Sequence, residues 1–253
     1  MALETLRRWV WAPRPVPLKF DECRIWLMAT SDAERRYRVR NPAKEPWTIE
    51  WLKSSVQPGE VLYDIGANVG VFSLIGARAR RARVVAFEPG FANYARLCEN
   101  IHLNDCAHLV TPLPWLLADR EGMQTFTYRS IEPGQSRHVM SDAGTAPAER
   151  SDAIVQPMAA IALDSAVERF GLPAPHHMKI DVDGAEALVL AGAAVTLRGP
   201  QLRSVLVEAS ESTGDEVTAL LGRAGLRLVK TAARDKIGAP WYGIFERSEA
   251  EPR

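Results

Sequence analysis

This sequence predicts an α/β fold: a mostly parallel, seven-stranded sheet with helices on both faces and a small N-terminal extension. Three observations carry that prediction. The run Val61-Leu-Tyr-Asp-Ile-Gly-Ala-Asn-Val-Gly-Val71 reads as a buried strand, a glycine turn and the start of a helix. A second apolar strand, Arg83 to Pro89, carries Glu88 at its end, about twenty residues past the turn, where a nucleoside-binding βαβ unit places its ribose acceptor. Further on, short β-prone runs alternate with stretches of helical period, the pattern of parallel strands joined by crossover helices.

Residues 1–45 form the extension. Arg7, Arg8, Trp9, Val10 and Trp11 precede three prolines, which reads as a short helix passing into an extended segment. Phe20 to Thr30 alternates Cys23, Ile25 and Leu27 with Arg24 and Trp26. It is expected to be a strand paired with Tyr37-Arg-Val39, with Glu34-Arg35-Arg36 between them a solvated turn or helix end. The main domain spans 46–253. Trp47, Trp51, Leu52 and Val56 recur at helical spacing, and Pro58-Gly59 ends that helix. Gly66 permits a tight turn after the first core strand, and Gly70 a close approach of helix to strand. Phe72, Ile75 and Ala79 face one way on that helix, and the arginines near its end complement the helix dipole. Tyr94, Leu97, Cys98 and Ile101 mark a second amphipathic helix.

Leu109 to Leu117 reads as the third strand, held at a sheet edge by Pro112 and Pro114. Gln124 to Arg129 alternates as an extra strand, and Glu132 to Ser151 is a long polar loop. Gln156 to Ile161 leads into a helix with Leu163, Val167 and Phe170 inward and Asp164 as its cap. Met178 to Gly184 is the fourth central strand. Its alternation sets Lys179, Asp181 and Asp183 against Ile180 and Val182. Charges of that density belong at the open carboxyl end of a covered strand. Gly184 turns the chain, and Glu186 opens a helix where the dipole favours it. Ser204 to Glu208 is the fifth strand. Thr213-Gly-Asp-Glu216 matches a capping box ahead of Val217, Leu220 and Leu221. Leu226 to Val229 and Gly243 to Glu246 complete the sheet.

The turn Gly66-Ala-Asn-Val-Gly70 lacks the middle glycine that lets a dinucleotide's pyrophosphate approach the backbone. No Gly-x-x-x-x-Gly-Lys-Ser/Thr loop occurs either. S-adenosylmethionine carries no phosphate. It asks for a ribose acceptor, an adenine slot, and carboxylates or carbonyls near its ammonium and sulfonium. Glu88 suits the ribose and Asp64 the amino end. Ser73 is placed to bond the cofactor carboxylate, which helix N-terminal N–H groups also favour. The cofactor candidates are Asp64, Gly66, Ala67, Asn68, Gly70, Ser73, Glu88 and Pro89.

Five separated motifs then occur in order: Asp64-Ile-Gly-Ala-Asn-Val-Gly70, Ala86-Phe-Glu-Pro89, the Asn93 to Asn100 helix, Leu163-Asp164, and Lys179-Ile-Asp-Val-Asp-Gly-Ala-Glu186. Together they resemble the FkbM-family methyltransferases, from about Glu45 to the C-terminus. The resemblance implies a class I, Rossmann-like, S-adenosylmethionine-dependent domain that usually O-methylates sugar, polyketide or other natural-product hydroxyls. It implies that the helix from Thr48 covers the cofactor pocket, with Glu50 either reaching the methionine end or simply solvated. It also implies that Leu117, Ala118 and Asp119, after the third strand, line the adenine. Asp183 stands where many members carry Glu, and Ala162 where Thr is common.

Methyl transfer requires alignment of acceptor oxygen, methyl carbon and sulfur, and removal of the acceptor proton. Asp181 and Glu208 are expected to converge at the crevice, with His138 from the long loop as a further base. Lys179 would hold Asp181 ionised or orient the substrate; the same charges also fit a purely structural network. No metal is expected. Asp181, Asp183 and Glu208 are the oxygen ligands that would hold a divalent cation if one were used. The expected partner is a small-molecule or glycan substrate. Lys+Arg and Asp+Glu are both 31, which disfavours nucleic acid. Three cysteines without a Cys-x-x-Cys pair, and an N-terminus without a signal peptide's apolar core, point to a cytoplasmic protein. No run reaches the length of a membrane helix. The competing functions are a nucleotide-dependent oxidoreductase and a cofactor-binding protein without turnover.

Overall fold

All five residues of the strand Val61–Ile65 are buried, as a strand covered on both faces requires. The computed structural model describes residues 15–20, 22–136, 138–142, 154–210, 212–233 and 240–247. In order, the chain runs β1 (Pro15–Pro17), β2 (Trp26–Met28), α1 (Asp32–Arg36), a 3-10 turn (Arg38–Arg40), α2 (Asn41–Lys44) and α3 (Pro46–Ser55). The central unit follows as β3 (Val61–Ile65), α4 (Val71–Arg80), β4 (Arg83–Phe87), α5 (Phe91–Leu103) and β5 (Val110–Leu113). Next come β6 (Leu116–Ala118), β7 (Gly122–Tyr128), β8 (Val139–Asp142), β9 (Ile154–Ala162) and α6 (Leu163–Phe170). The last part is β10 (His177–Ile180), α7 (Glu186–Ala191), α8 (Ala194–Arg198), β11 (Ser204–Ala209), α9 (Gly214–Arg223), β12 (Leu226–Ala233) and β13 (Trp241–Arg247).

Seven strands form the main sheet in the order β12-β13-β11-β10-β3-β4-β5. The five from β11 to β5 are parallel, and β13 runs antiparallel to β11 and β12. The order turns back at β3, so the carboxyl ends of β3, β4 and β10 open onto one crevice. One face buries Leu62, Val84 and Leu206 under α3 and α4, together with Leu18, Ile25 and Leu27 of the extension. The extension therefore shares the core of the main domain. The other face buries Tyr63, Val85 and Met178 with Leu163, Val189 and Val217. A second sheet, β6-β9-β7-β8, stands beside the carboxyl ends around Phe126, Tyr128 and Ala160. No helix among the described residues is long and apolar enough to cross a membrane.

Several local expectations are corrected. β2 pairs with β1, not with residues 37–39. The Ser31 hydroxyl accepts from the Glu34 N–H and Glu34 reaches back, a capping box that starts α1, so Glu34-Arg35-Arg36 forms a helix end, one of the two expected readings, although Glu34 is buried and not solvated. Thr213 makes no such cap; its hydroxyl accepts from the Ser210 N–H instead. Asp164 caps α8 rather than its own helix, accepting from Val195 N, Thr196 N and the Thr196 hydroxyl at 2.7 to 2.8 Å. Phe170 is 57% exposed, and Ala166 takes the inward place. Leu109 to Leu117 divides: β5 is the edge of the main sheet, and β6 joins the second sheet. Part of the long loop is the strand β8, while residues 1–14 and 143–153 lie outside the described residues. A Cβ on Gly70 would meet Leu97 of α5; the close packing of α4 on the sheet is made by Gly76, against Leu62 and Val84.

The end of the sheet away from the crevice is closed by a buried polar network. Trp51 Nε1 donates to the Ser204 hydroxyl at 2.9 Å, which meets His177 Nδ1 at 2.8 Å. His177 Nε2 lies 3.0 Å from Glu60, which also pairs with Arg203. Burial pushes the His177 pKa below its ordinary value, although Glu60 opposes the shift. A histidine with a depressed folded pKa binds fewer protons folded than unfolded. Its contribution is intact above the unfolded value of about 6.5 and is lost as pH falls toward the folded value. Denaturant melts should show Ser204→Ala costing ~1–3 kcal/mol, because two buried nitrogens lose their partner. His177→Phe should lessen the loss of stability on acidification below about pH 6.5; an unchanged acid limb would contradict this account.

Candidate active site

The crevice holds about 710 Å³ of space, its open mouth included. Its floor depends on Gly66, which has φ +82°; a Cβ there would sit 1.9 Å from the Asp181 carbonyl oxygen. No other residue lets the ends of β3 and β10 approach so closely. Asn68 follows in a left-handed conformation, φ 53°. That orientation aims its N–H at Glu88 Oε2, 2.8 Å away. The Gly90 N–H donates to Oε1 at 2.9 Å, and Asn93 Nδ2 lies at 3.5 Å. Burial dominates these donors, so the Glu88 pKa is pushed up to about 7.

The walls beside Glu88 are apolar: Phe87, Trp115 and Leu117 on one side, Val182, Ala185 and Val189 on another, with Phe126 and Met140 from the second sheet. His138 stands against Phe126 and Tyr128, with ring centroids 5.6 and 5.2 Å away. Burial, aided by the Arg38 charge, lowers its pKa to about 4. The Arg129 N–H reaches its Nδ1 at 3.4 Å.

A second cluster lies behind the floor. Lys179 is enclosed, 3.0 Å from Asp181 Oδ2 and 4.0 Å from Asp64 Oδ1, with its ammonium 5.0 Å from the centre of the Phe72 ring. Burial alone would pull the Lys179 pKa down. The carboxylates of Asp181, Asp64 and Glu45 outweigh it and hold the ammonium charged. Burial would likewise raise the Asp181 pKa, but Lys179 reverses the direction, with help from Arg38 and a hydrogen bond from Glu208. Asp64 Oδ2 accepts from the Ser73 hydroxyl at 2.5 Å, and its pKa is raised by burial. Its Oδ1 has no hydrogen-bond partner among the described residues.

Of the residues singled out in the sequence, Gly66, Asn68, Glu88, Pro89, Leu117, His138, Asp181 and Asp183 line the crevice. Asp64, Ser73 and Lys179 lie buried and do not line it, and Ala67, Gly70 and Glu208 do not line it either. Ala118 turns away, its carbonyl packed on Gly192, and Asp119 pairs with Arg120. Glu50 is an exposed partner of Lys230, which is its solvated reading. Among the described residues, no group of three or more His, Cys, Asp or Glu is placed to hold a metal ion. That statement includes Asp181, Asp183 and Glu208. Sequence reasoning did not find Arg38, Trp115, Phe126 or Met140. None belongs to a motif, and all four arrive on segments remote in the chain from the glycine turn.

The strand order, the antiparallel β13 inserted beside β11, and a crevice at the carboxyl ends define a class I methyltransferase fold. Magnesium protoporphyrin IX methyltransferase from Synechocystis, solved with bound SAM, shares it at a TM-score of 0.51 and 12% identity, over 87% of this chain and 86% of that one. A precorrin-6y C5,15-methyltransferase from Geobacter metallireducens shares it at 0.50 and 12% identity, over 81% and 87%. Within that class the chain belongs to the FkbM methyltransferase domain family, which matches residues 64–228. It is 30% identical over 193 residues to the hexuronic acid methyltransferase AglP of Haloferax volcanii, covering 76% of this chain and 74% of the relative. It is 29% identical over 203 residues to the methyltransferase sdnD of Sordaria araneosa, covering 68% and 75%. Membership decides for methyl transfer over the nucleotide-dependent oxidoreductase.

Gly66→Ala should destabilise the protein by at least ~2 kcal/mol in denaturant titration, because it adds both a backbone clash and a left-handed strain. Gly222→Ala, in α9 with open space around it, should be neutral or stabilising by about 0.5–1 kcal/mol. Equal costs at the two positions would remove the close approach as the reason for Gly66.

Proposed function

We propose that this protein transfers the methyl group of S-adenosylmethionine to an oxygen, most simply a hydroxyl, of a small molecule, sugar or glycan. The observation that carries the reading is Glu88: a carboxylate gripped by two backbone N–H groups at the rim of an apolar crevice. A ribose diol needs an acceptor of that kind, and adenine needs apolar walls beside it. The residues present fit the cofactor. Leu117, Phe126 and Val182 would pack the adenine, and Glu88 and Asn68 would hold the ribose. Asp64, with an unused buried oxygen, would face the amino acid end from beneath, and Ser73 keeps it oriented. When bound, S-adenosylmethionine supplies an electrophilic methyl group on a sulfonium. Everything else falls to the side chains.

Asp181 is the base that the arrangement favours. It lines the crevice, and Lys179 keeps it ionised at neutral pH. It would accept a hydrogen bond from the acceptor hydroxyl and take its proton. Glu208 hydrogen-bonds Asp181 from behind, away from the crevice lining. His138 is neutral at pH 7, and with Nδ1 facing the Arg129 N–H its other nitrogen carries the proton. It therefore suits hydrogen-bond donation to substrate better than proton removal. The aromatic and apolar walls exclude water, which strengthens each of these contacts. A sugar acceptor is supported by the likeness to a hexuronic acid methyltransferase.

Incubation with labelled S-adenosylmethionine and extract of the source cell, followed by mass analysis, should yield a product carrying one added methyl on oxygen. Cofactor binding without any labelled product would favour the non-catalytic alternative. Asp181→Asn should lower turnover on that product's precursor by about a hundredfold or more, while calorimetric affinity for S-adenosylhomocysteine changes little. A fully active variant would exclude Asp181 as base. Ionised Glu88 is the better ribose acceptor and its pKa is about 7. Affinity for S-adenosylhomocysteine should therefore fall as pH drops below that value, and Glu88→Ala should abolish the dependence.

A further inference from the structure

Arg38 reaches the crevice from the extension, outside residues 64–228 that the family shares. It is the only lysine or arginine among the described residues that line it; the acids there are Glu88, Asp181 and Asp183. Its placement is built. Arg38 Nε donates to the Gly134 carbonyl at 2.8 Å. Gly134 is fixed in turn: its N–H donates to Asn93 Oδ1 at 2.8 Å, and a Cβ on it would strike Glu34. The Ser31 hydroxyl donates to the Pro133 carbonyl at 2.7 Å, and Asn68 and Asn93 both donate to the Gln135 carbonyl. A guanidinium has five donors in a planar fork. One is spent on Gly134. The terminal amino groups make no hydrogen bond or ion pair with any described residue, yet the charge is felt at Glu88, His138 and Asp181.

We propose that Arg38 is the receptor for a carboxylate on the methyl acceptor, so that the acceptor of this enzyme is a hydroxy acid such as a sugar acid rather than a neutral alcohol. The inference rests on the methyl-transfer reading and names its substrate class. A cavity with three carboxyls repels an acidic acceptor unless a cation offsets them, and a neutral acceptor gains little from a fixed guanidinium. The shared domain already contains residues suited to the shared cofactor. A cation supplied from outside that domain is placed for what differs between relatives, which is the acceptor.

The test uses the full-length protein saturated with S-adenosylhomocysteine. Glucuronate and galacturonate are titrated against glucose and galactose, with saturation-transfer NMR and thermal shift as readouts. Wild type is expected to bind the uronates in preference to the hexoses. Arg38→Gln should weaken uronate binding by about tenfold or more, the loss of a charge-assisted pair, and, measured at a pH well above the Glu88 pKa so that this carboxylate stays ionised in both proteins, leave affinity for S-adenosylhomocysteine within about twofold. Arg38→Lys should restore part of the preference. The proposal is overturned if wild type binds uronates no better than hexoses, or if Arg38→Gln keeps the preference. It is also overturned if the variant loses S-adenosylhomocysteine affinity instead, since Arg38 would then hold the cofactor's own carboxylate. Failure of wild type to bind S-adenosylhomocysteine at all would sink the methyl-donor reading itself, a separate and recognisable result.

Discussion

The close contact between Gly66 and the Asp181 carbonyl oxygen is the constraint on which the site depends. It joins the carboxyl ends of β3 and β10 into one floor. From that floor the chain leaves in two directions. One runs through Asn68, in a left-handed conformation, to the Glu88 carboxylate. The other runs through Asp181 and Asp183 to the helix that opens at Glu186. A side chain at residue 66 would separate the strands and move both acids. The position is thus a geometric requirement of the crevice and only indirectly a chemical one.

Charge beneath the floor is arranged around one buried ammonium. Lys179 sits within 4.0 Å of Asp64 and Asp181, and each carboxylate reduces the cost of burying the lysine. The balance is unequal. Asp181 gains a hydrogen-bonded partner and stays ionised, whereas burial raises the Asp64 pKa despite Lys179. Two acids, one within β3 and one just past the end of β10, therefore differ in character: Asp181 faces the crevice as an anion, and Asp64 supports it from behind. Glu88, with no cation bonded to it, lies between these extremes with its pKa near 7. Removing Lys179 would leave two carboxyls uncompensated in the core, so its role in folding and its role in chemistry are not separable by deletion alone.

The alternation of apolar strands and periodic helices made the sheet legible from sequence, down to Pro112 marking the edge strand β5. Glu88 and Asp181 were legible because their chemistry coincides with strand ends, where β-prone runs stop at a charge. What escaped was set by tertiary partners. Asp164 looked like a cap for the helix it sits on, but the nearest orphan N–H groups belong to α8. Gly70 looked like a helix-to-strand spacer, but Leu97 occupies the place a Cβ would fill. Asp64 and Ser73 read as lining residues because they are adjacent to the turn in sequence. The strand's alternation instead points Asp64 inward to the Ser73 hydroxyl. Arg38, Trp115 and Phe126 carry no local signal, since only the fold of remote segments brings them to the crevice.

The extension raises a question of energetics. Leu18, Ile25 and Leu27 share the main core, and Asn100 and Asn104 satisfy the β2 backbone, so this segment is held to the end of α5 by side-chain hydrogen bonds as well as by packing. The contacts that pass over the crevice are of another kind. Ser31, Arg38, Asn68 and Asn93 grip residues 133–135 through hydrogen bonds to backbone groups. Hydrogen bonds at a partly exposed surface each contribute only about 1 kcal/mol net, whereas core contacts resist separation collectively. The grip on 133–135 therefore rests on a few individual hydrogen bonds, and that of the extension on collective packing as well. Because the Arg38 Nε bond ends on the Gly134 carbonyl, the placement of that guanidinium depends on the segment 133–135 as well as on the extension.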